Sequence, residues 1–235
     1  MLGRADVIML AMANQAYLRV WCKDFPEELI LERLGSFLGT VPFSATKPGF
    51  TYLTVRAVDS TEIPVFEQDL RSVPLDAAGI LELSREFLHN DTSYEVRCDW
   101  DLWVSEGEAA RWKQSPQPLE ISCYGEDYGE KTWVESGHFE ANLGFEHLFT
   151  GHAGLLGFQR GMRAAAESPE EARFLEAMAW PENLHKYQEK TQENIRKLME
   201  WAKRIEHALP VERVQMWSEG EENFEARLDE ILAAR

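Results

Sequence analysis

The chain has no apolar run that approaches the ~20 residues of a membrane-spanning helix. The longest near its start, Val7 to Ala13 (VIMLAMA), is short, and Asp6 spoils the basic segment that a secretory signal needs. Cysteine is scarce: Cys22, Cys98 and Cys123 lie far apart, an odd number without the close spacing of a disulfide framework or zinc knuckle. They read as reduced core thiols, and the expected location is the cytoplasm. Positive charge is also in short supply. Against 41 Asp and Glu stand 24 Lys and Arg, a net of -17. A phosphate backbone or an anionic bilayer repels such a chain, so nucleic acid and membrane are poor partners, whereas a basic protein or a metal ion is an easy one. The common catalytic signatures are missing as well. The glycines from Gly151 to Gly157 lack the phosphate-loop lysine, and no G-x-S-x-G elbow or H-E-x-x-H pair occurs. No repeat of 20–50 residues is visible.

What is present is period. From Ser93 to Ser105 (SYEVRCDWDLWVS), Tyr94, Val96, Cys98, Trp100, Leu102 and Val104 take every second place. Alternate side chains of a strand point to opposite faces, so this is a long strand with one apolar and one polar side. The polar side carries Glu95, Arg97, Asp99, Asp101 and, as the exception, Trp103. The same alternation marks strands at Tyr17–Cys22, Phe50–Val58, Ile63–Leu70, Leu119–Tyr124 and His138–Glu146. Helical spacing marks Phe25–Leu38, behind an Asp24 cap, and Ile80–Leu88, behind an Asp76 cap. The residues from Glu106 to Pro118, with two prolines, read as a connection, and Gly125–Lys131 as an acidic loop.

The order through the long strand is β-α-β-β-α-β, that of a ferredoxin-like sheet. The expected architecture is therefore α+β: that sheet, extended by two further strands, followed by an all-helical C-terminal region packed on it. The expected units are a loose N-terminus over 1–15, a sheet domain over 16–157 and helices over 158–235; Met12 is an alternative start. Ser168-Pro169-Glu170-Glu171 opens one helix and Pro181 a longer one. Its seam runs through Leu184, Tyr187, Thr191, Asn194, Leu198, Trp201, Ile205 and Ala208, and faces the sheet, another helix or a second copy of the chain.

Two groups of residues point to function. Between Asp91 and Glu146 there are 13 Asp and Glu against 4 Lys and Arg, a net of -9. Within it the acidic face of Glu95, Arg97, Asp99, Asp101, Trp103 and Tyr124 suits a basic protein partner, since carboxylates beside aromatic rings attract Lys and Arg. That defines a non-enzymatic acidic interaction module, a class that includes toxin-neutralising immunity proteins. The alternative is an enzyme or small-ligand binder whose site lies between sheet and C-terminal helices, using His138, Glu140, His147 and His152. His138, His147 and His152 would then be ligands to a divalent metal, the one cofactor the composition leaves open.

Overall fold

In a computed structural model, the described residues are 14–106, 111–152, 155–156 and 169–234. The expectations for residues 1–13, for Ala153, Gly154 and Gly157, and for Ser168 as a helix cap fall outside them. Seven strands form one sheet: β1 (Gln15–Cys22), β2 (Tyr52–Ala57), β3 (Phe66–Asp69), β4 (Thr92–Glu106), β5 (Arg111–Tyr124), β6 (Phe139–Phe145) and β7 (Val211–Ser218). The order across it is β3-β2-β4-β5-β6-β1-β7, and the paired ladders are antiparallel. The α-helices among the described residues are α1 (Ile30–Leu38), α2 (Ala77–Ser84), the single turns α3 (Trp133–Ser136) and α4 (His147–Thr150), and then α5 (Pro169–Met178), α6 (Pro181–Ala208) and α7 (Phe224–Ala233).

The mixed α+β class holds, and the ferredoxin-like order does not describe this sheet. A split βαβ places the first strand between the third and fourth strands of its βαββαβ unit. Here β1 sits between β6 and β7, taking both neighbours from later in the chain. Alternation identifies a strand but not its partner, and β1 is apolar enough on one side to be central anywhere.

The all-helical C-terminal region is a second correction. β7 follows α6 directly and adds a third strand beyond the six-element core, pairing Tyr17 with Trp217 and Arg19 with Gln215. Its apolar positions, Val211, Val214 and Met216, do not alternate cleanly, so the pattern is silent.

A third correction concerns Glu106–Pro118, which is strand for most of its length. Asp99 faces Pro118 and Asp101 faces Pro116 across the β4–β5 ladder. Tyr124 donates its N–H to the carbonyl of His138 on the β6 side. Pro116 and Pro118 share its parity, so their nitrogens face away from β4, on the side where the β5–β6 ladder has already ended at Glu120 and no donor is needed.

The core lies on one side of the sheet. Tyr94, Val96, Cys98, Trp100 and Leu102 of β4 are all buried there. They meet Ile30, Leu34, Phe37 and Leu38 of α1, Ile195, Leu198, Trp201 and Ile205 of α6, and Phe224, Leu228 and Ile231 of α7. Asp76 caps α2, accepting the Gly79 N–H at 2.9 Å. The expected Asp24 cap is absent: Asp24 has φ of 52°, and a 3-10 turn from Glu27 to Leu29 precedes α1. The three thiols are buried, which raises Cys22 to about 12 and moves Cys98 and Cys123 upward too.

α6 uses its seam inside the chain. Tyr187, Thr191, Asn194, Leu198, Trp201 and Ile205 are buried against the sheet and its neighbours. That leaves the 184–208 helix little apolar surface to offer a second copy, the arrangement on which a homo-oligomer was expected. No helix among the described residues is long and apolar enough to cross a membrane.

Candidate functional site: the open face of the sheet

The side of the sheet opposite the core presents rows of side chains fixed by register. One row reads Thr54, Glu95, Ser122, Glu140, Arg19, Gln215; the next reads Tyr52, Arg97, Glu120, Asn142, Tyr17, Trp217. Cross-strand neighbours lie close enough to pair, and they do. Arg97 holds Glu95 through Nη2 at 2.6 Å and Glu120 through Nε at 2.8 Å, and its guanidinium lies 5.1 Å from the centre of the Tyr52 ring. Arg19 holds Glu140 at 2.6 Å and stacks over Trp217 at 4.5 Å. Lys47 reaches Asp99 at 3.5 Å. The acidic wall is thus a laced network in which the two central arginines are both engaged. Glu120 carries the residue of the imbalance: burial first, then the charge of Glu95, raise its pKa, with Arg97 pulling the other way.

At one end the wall is closed by α6. Beyond β2, the edge of β4 has backbone groups with no neighbouring strand, and other residues satisfy them. Asn194 does most of this: its Oδ1 accepts the Trp103 N–H at 2.8 Å, and its Nδ2 donates to the carbonyls of Trp103 and Leu148, both at 3.0 Å. Lys197 donates to the Asp101 carbonyl at 2.7 Å, and Ser44 N–H to the Asp99 carbonyl at 2.7 Å. Asp101 also accepts the Ala45 N–H at 2.9 Å. Trp103 lies under Lys190, 4.1 Å from its ring centre, so it is a seat for α6 rather than a free anchor. Of the expected binding residues, Glu95, Arg97 and Asp99 stand on the open part of the face, Asp101 and Trp103 at its α6 end.

At the other end, residues 125–132 fold back over the sheet. Tyr128 stacks on Tyr124, ring centres 5.8 Å apart, and a recess of about 240 Å³ opens between this roof and the strands. Burial raises the hydroxyl pKa of both tyrosines; Tyr124 is hydrogen-bonded to Ser122 and Tyr128 to Ser93. On the β1 part of the face, Tyr17 packs on Trp217 and donates to Glu219, and Trp21 donates to the Val134 carbonyl at 3.3 Å under Arg213.

The histidines do not converge. His138 and His147 flank opposite ends of β6, roughly 25 Å apart for an extended segment of that length. His138 is buried between Phe25 and Trp133, ring centres 4.3 and 4.6 Å away. Its Nδ1 accepts the Cys22 N–H at 3.0 Å, which puts the proton on Nε2. Glu126, the nearest carboxylate, is 3.7 Å from Nε2, too far for a hydrogen bond. His147 and His152 meet each other edge to face at 6.2 Å, beside Phe145 and Phe174. Glu140 faces Arg19 on the open side. The four residues of the enzyme alternative therefore occupy three places. Among the described residues, no group of three or more His, Cys, Asp or Glu side chains is arranged to hold a metal ion.

His138 makes a pH prediction instead. Burial pushes its pKa down to about 4, against 6.5 for a free imidazole. The fold prefers the neutral ring, so this contribution is complete above pH 6.5 and is lost as pH falls from 6.5 through 4, on the order of 2 kcal/mol. Urea unfolding of the wild type and of His138→Asn, which keeps an acceptor for Cys22, should show the variant's deficit shrinking by that amount between pH 7 and 4. A deficit independent of pH would show that the ring is not held neutral.

Sequence reasoning missed Arg19, Lys47 and Thr132 as parts of this face. Arg19 had a signal, since it shares the Tyr17–Trp21 phase, but its partner Glu140 is 121 positions away. The class that emerges is an α+β protein with a single antiparallel sheet, helices massed on one face and a polar network on the other. No protein-family model, curated protein or solved structure matches the chain, so its functional reading rests on its own residues.

Proposed function

We propose that the chain is a non-enzymatic interaction protein that receives a basic protein partner on the open, acidic and aromatic face of its sheet. The observation that carries this reading is one-sidedness: α1, α6 and α7 contribute their apolar faces to the core behind β4, while Glu95, Glu120, Glu140 and Asp99 stand with Tyr52, Tyr17 and Trp217 on the other side. Their arginines are fixed by two-point contacts, so the face is rigid before a partner arrives, which lowers the entropy lost on binding. Glu120 shares the single cation Arg97 with Glu95. A lysine or arginine brought beside it lowers its pKa, so binding strengthens as pH rises through the carboxylate range. The enzyme reading loses support because His138, Glu140, His147 and His152 are apart.

Affinity capture from the source cell tests the reading. The expected partner is rich in Lys and Arg, and its retention falls between about 50 mM and 500 mM salt, where the screening length shrinks. The double variant Asn142→Lys/Gln215→Lys adds positive charge while leaving each ion pair in place. It should weaken the complex about tenfold or more, a matter of about 1.4 kcal/mol. An acidic partner, or capture indifferent to both salt and variant, contradicts the proposal.

A further inference from the structure

We infer that the recess between the Ser93 end of the open face and the roof over residues 125–132 binds a small, neutral, polyhydroxylated molecule about the size of a monosaccharide. Its volume of about 240 Å³ admits a single sugar ring. The lining is dominated by hydroxyls, from Thr54, Ser93, Ser122, Tyr124, Tyr128 and Thr132. A hydroxyl both donates and accepts and rotates to suit its partner, so a wall of them matches a ligand whose own groups are hydroxyls. The two charges at the recess oppose each other. Arg56 and Glu95 both act on the Tyr128 hydroxyl, and each already has a partner: Arg56 donates to the Glu62 carbonyl at 2.8 Å, and Glu95 accepts from Arg97. Neither an anion nor a cation is singled out. The stacked Tyr124–Tyr128 pair adds a flat apolar surface for the C–H face of a ring.

A second observation points to the same place. Among the described residues, the non-glycine positions with positive φ are Asp24, Val58, Glu130 and Lys131; the last three lie in the two segments that supply lining residues, Val58 between Arg56 and Ser60, Glu130 and Lys131 between Tyr128 and Thr132. Val58, with φ of 71°, is β-branched, for which the left-handed region is a genuine outlier. It is held there by its N–H donating to the Asp91 carbonyl at 2.8 Å and by its carbonyl accepting the Gly129 N–H at 2.7 Å. The second of these bonds ties the β2–β3 loop to the roof. Glu130 and Lys131 continue the left-handed path from Gly129 across the top. Strained backbone survives where its surroundings over-determine it, and it concentrates at ligand sites.

The test is an amide-shift titration of the full ¹⁵N-labelled chain with glucose, galactose, mannose and N-acetylglucosamine, and separately with inorganic phosphate and with glycine. At least one sugar should give saturable shifts confined to residues 54–60, 93–95 and 122–132, with Kd of about 1 mM or tighter. The near-isosteric Thr54→Val, and independently Tyr128→Phe, should each weaken it about fivefold, the worth of one hydrogen bond. Amide spectra unchanged elsewhere would show that the variants fold. No saturable shift from any sugar, saturation at the recess by phosphate or glycine alone, or sugar binding untouched by both variants would overturn the assignment.

Discussion

Asn194→Leu is expected to destabilise the fold by about 3–5 kcal/mol, because it strands three backbone groups at once, one in a buried bond and two in half-buried ones. The Trp103 N–H and the carbonyls of Trp103 and Leu148 all depend on this one side chain. A leucine fills the same space without serving any of them, so the loss cannot be recovered by packing. Asn194→Asp provides the comparison: it retains an acceptor for the Trp103 N–H but sets a carboxylate against the two carbonyls, and should be at least as damaging. Denaturant unfolding at neutral pH measures both. A loss under about 1 kcal/mol for the leucine variant would mean that the β4 edge finds other partners, well below the usual penalty for unsatisfied groups.

Trp201→Ala is the second large effect, expected to lose about 3–5 kcal/mol. Trp201 is fully buried, and its ring lies 5.9 Å from Phe37 and 5.8 Å from Trp100. It thus joins α6 to α1 and to the middle of β4. Its indole Nε1 donates to the Thr40 hydroxyl at 3.0 Å. Trp201→Phe keeps an aromatic ring and drops that bond, so it should cost about half as much, combining a smaller cavity with one lost hydrogen bond, while the Thr40 hydroxyl keeps its bond to the Phe37 carbonyl at 2.7 Å. If alanine and phenylalanine prove equally mild, the aromatic layer is not what holds α6 on the sheet.

These two residues also show what a sequence reveals and what it hides. The α6 seam was legible because Leu198, Trp201 and Ile205 recur at helical spacing, and Asn194 was legible as a member of it. Its task was not, because Trp103 is 91 positions away and nothing local marks its backbone as unpaired. The polar side of β4 was legible by alternation, and Glu95, Arg97 and Asp99 indeed share an open face. That the wall is laced by Arg19 and Lys47 depended on strand order, which alternation does not encode. β7 escaped for the opposite reason: Val211, Val214 and Met216 fall out of step, and pairing with β1 outweighs the weak local pattern. The histidines misled because nearness in sequence across a strand means distance in space. A seven-residue strand separates His138 from His147.

The central claim is that the uncovered face of the sheet is the working surface. Site-specific photo-cross-linking tests it most directly, with a benzophenone side chain placed at Asn142, on the open face, or at Glu206, on the exposed side of α6. In the source cell, the Asn142 position is expected to give a discrete adduct with a Lys- and Arg-rich protein, suppressed by high salt, while Glu206 gives none. An adduct from Glu206 alone, or equal adducts from both positions, would contradict it.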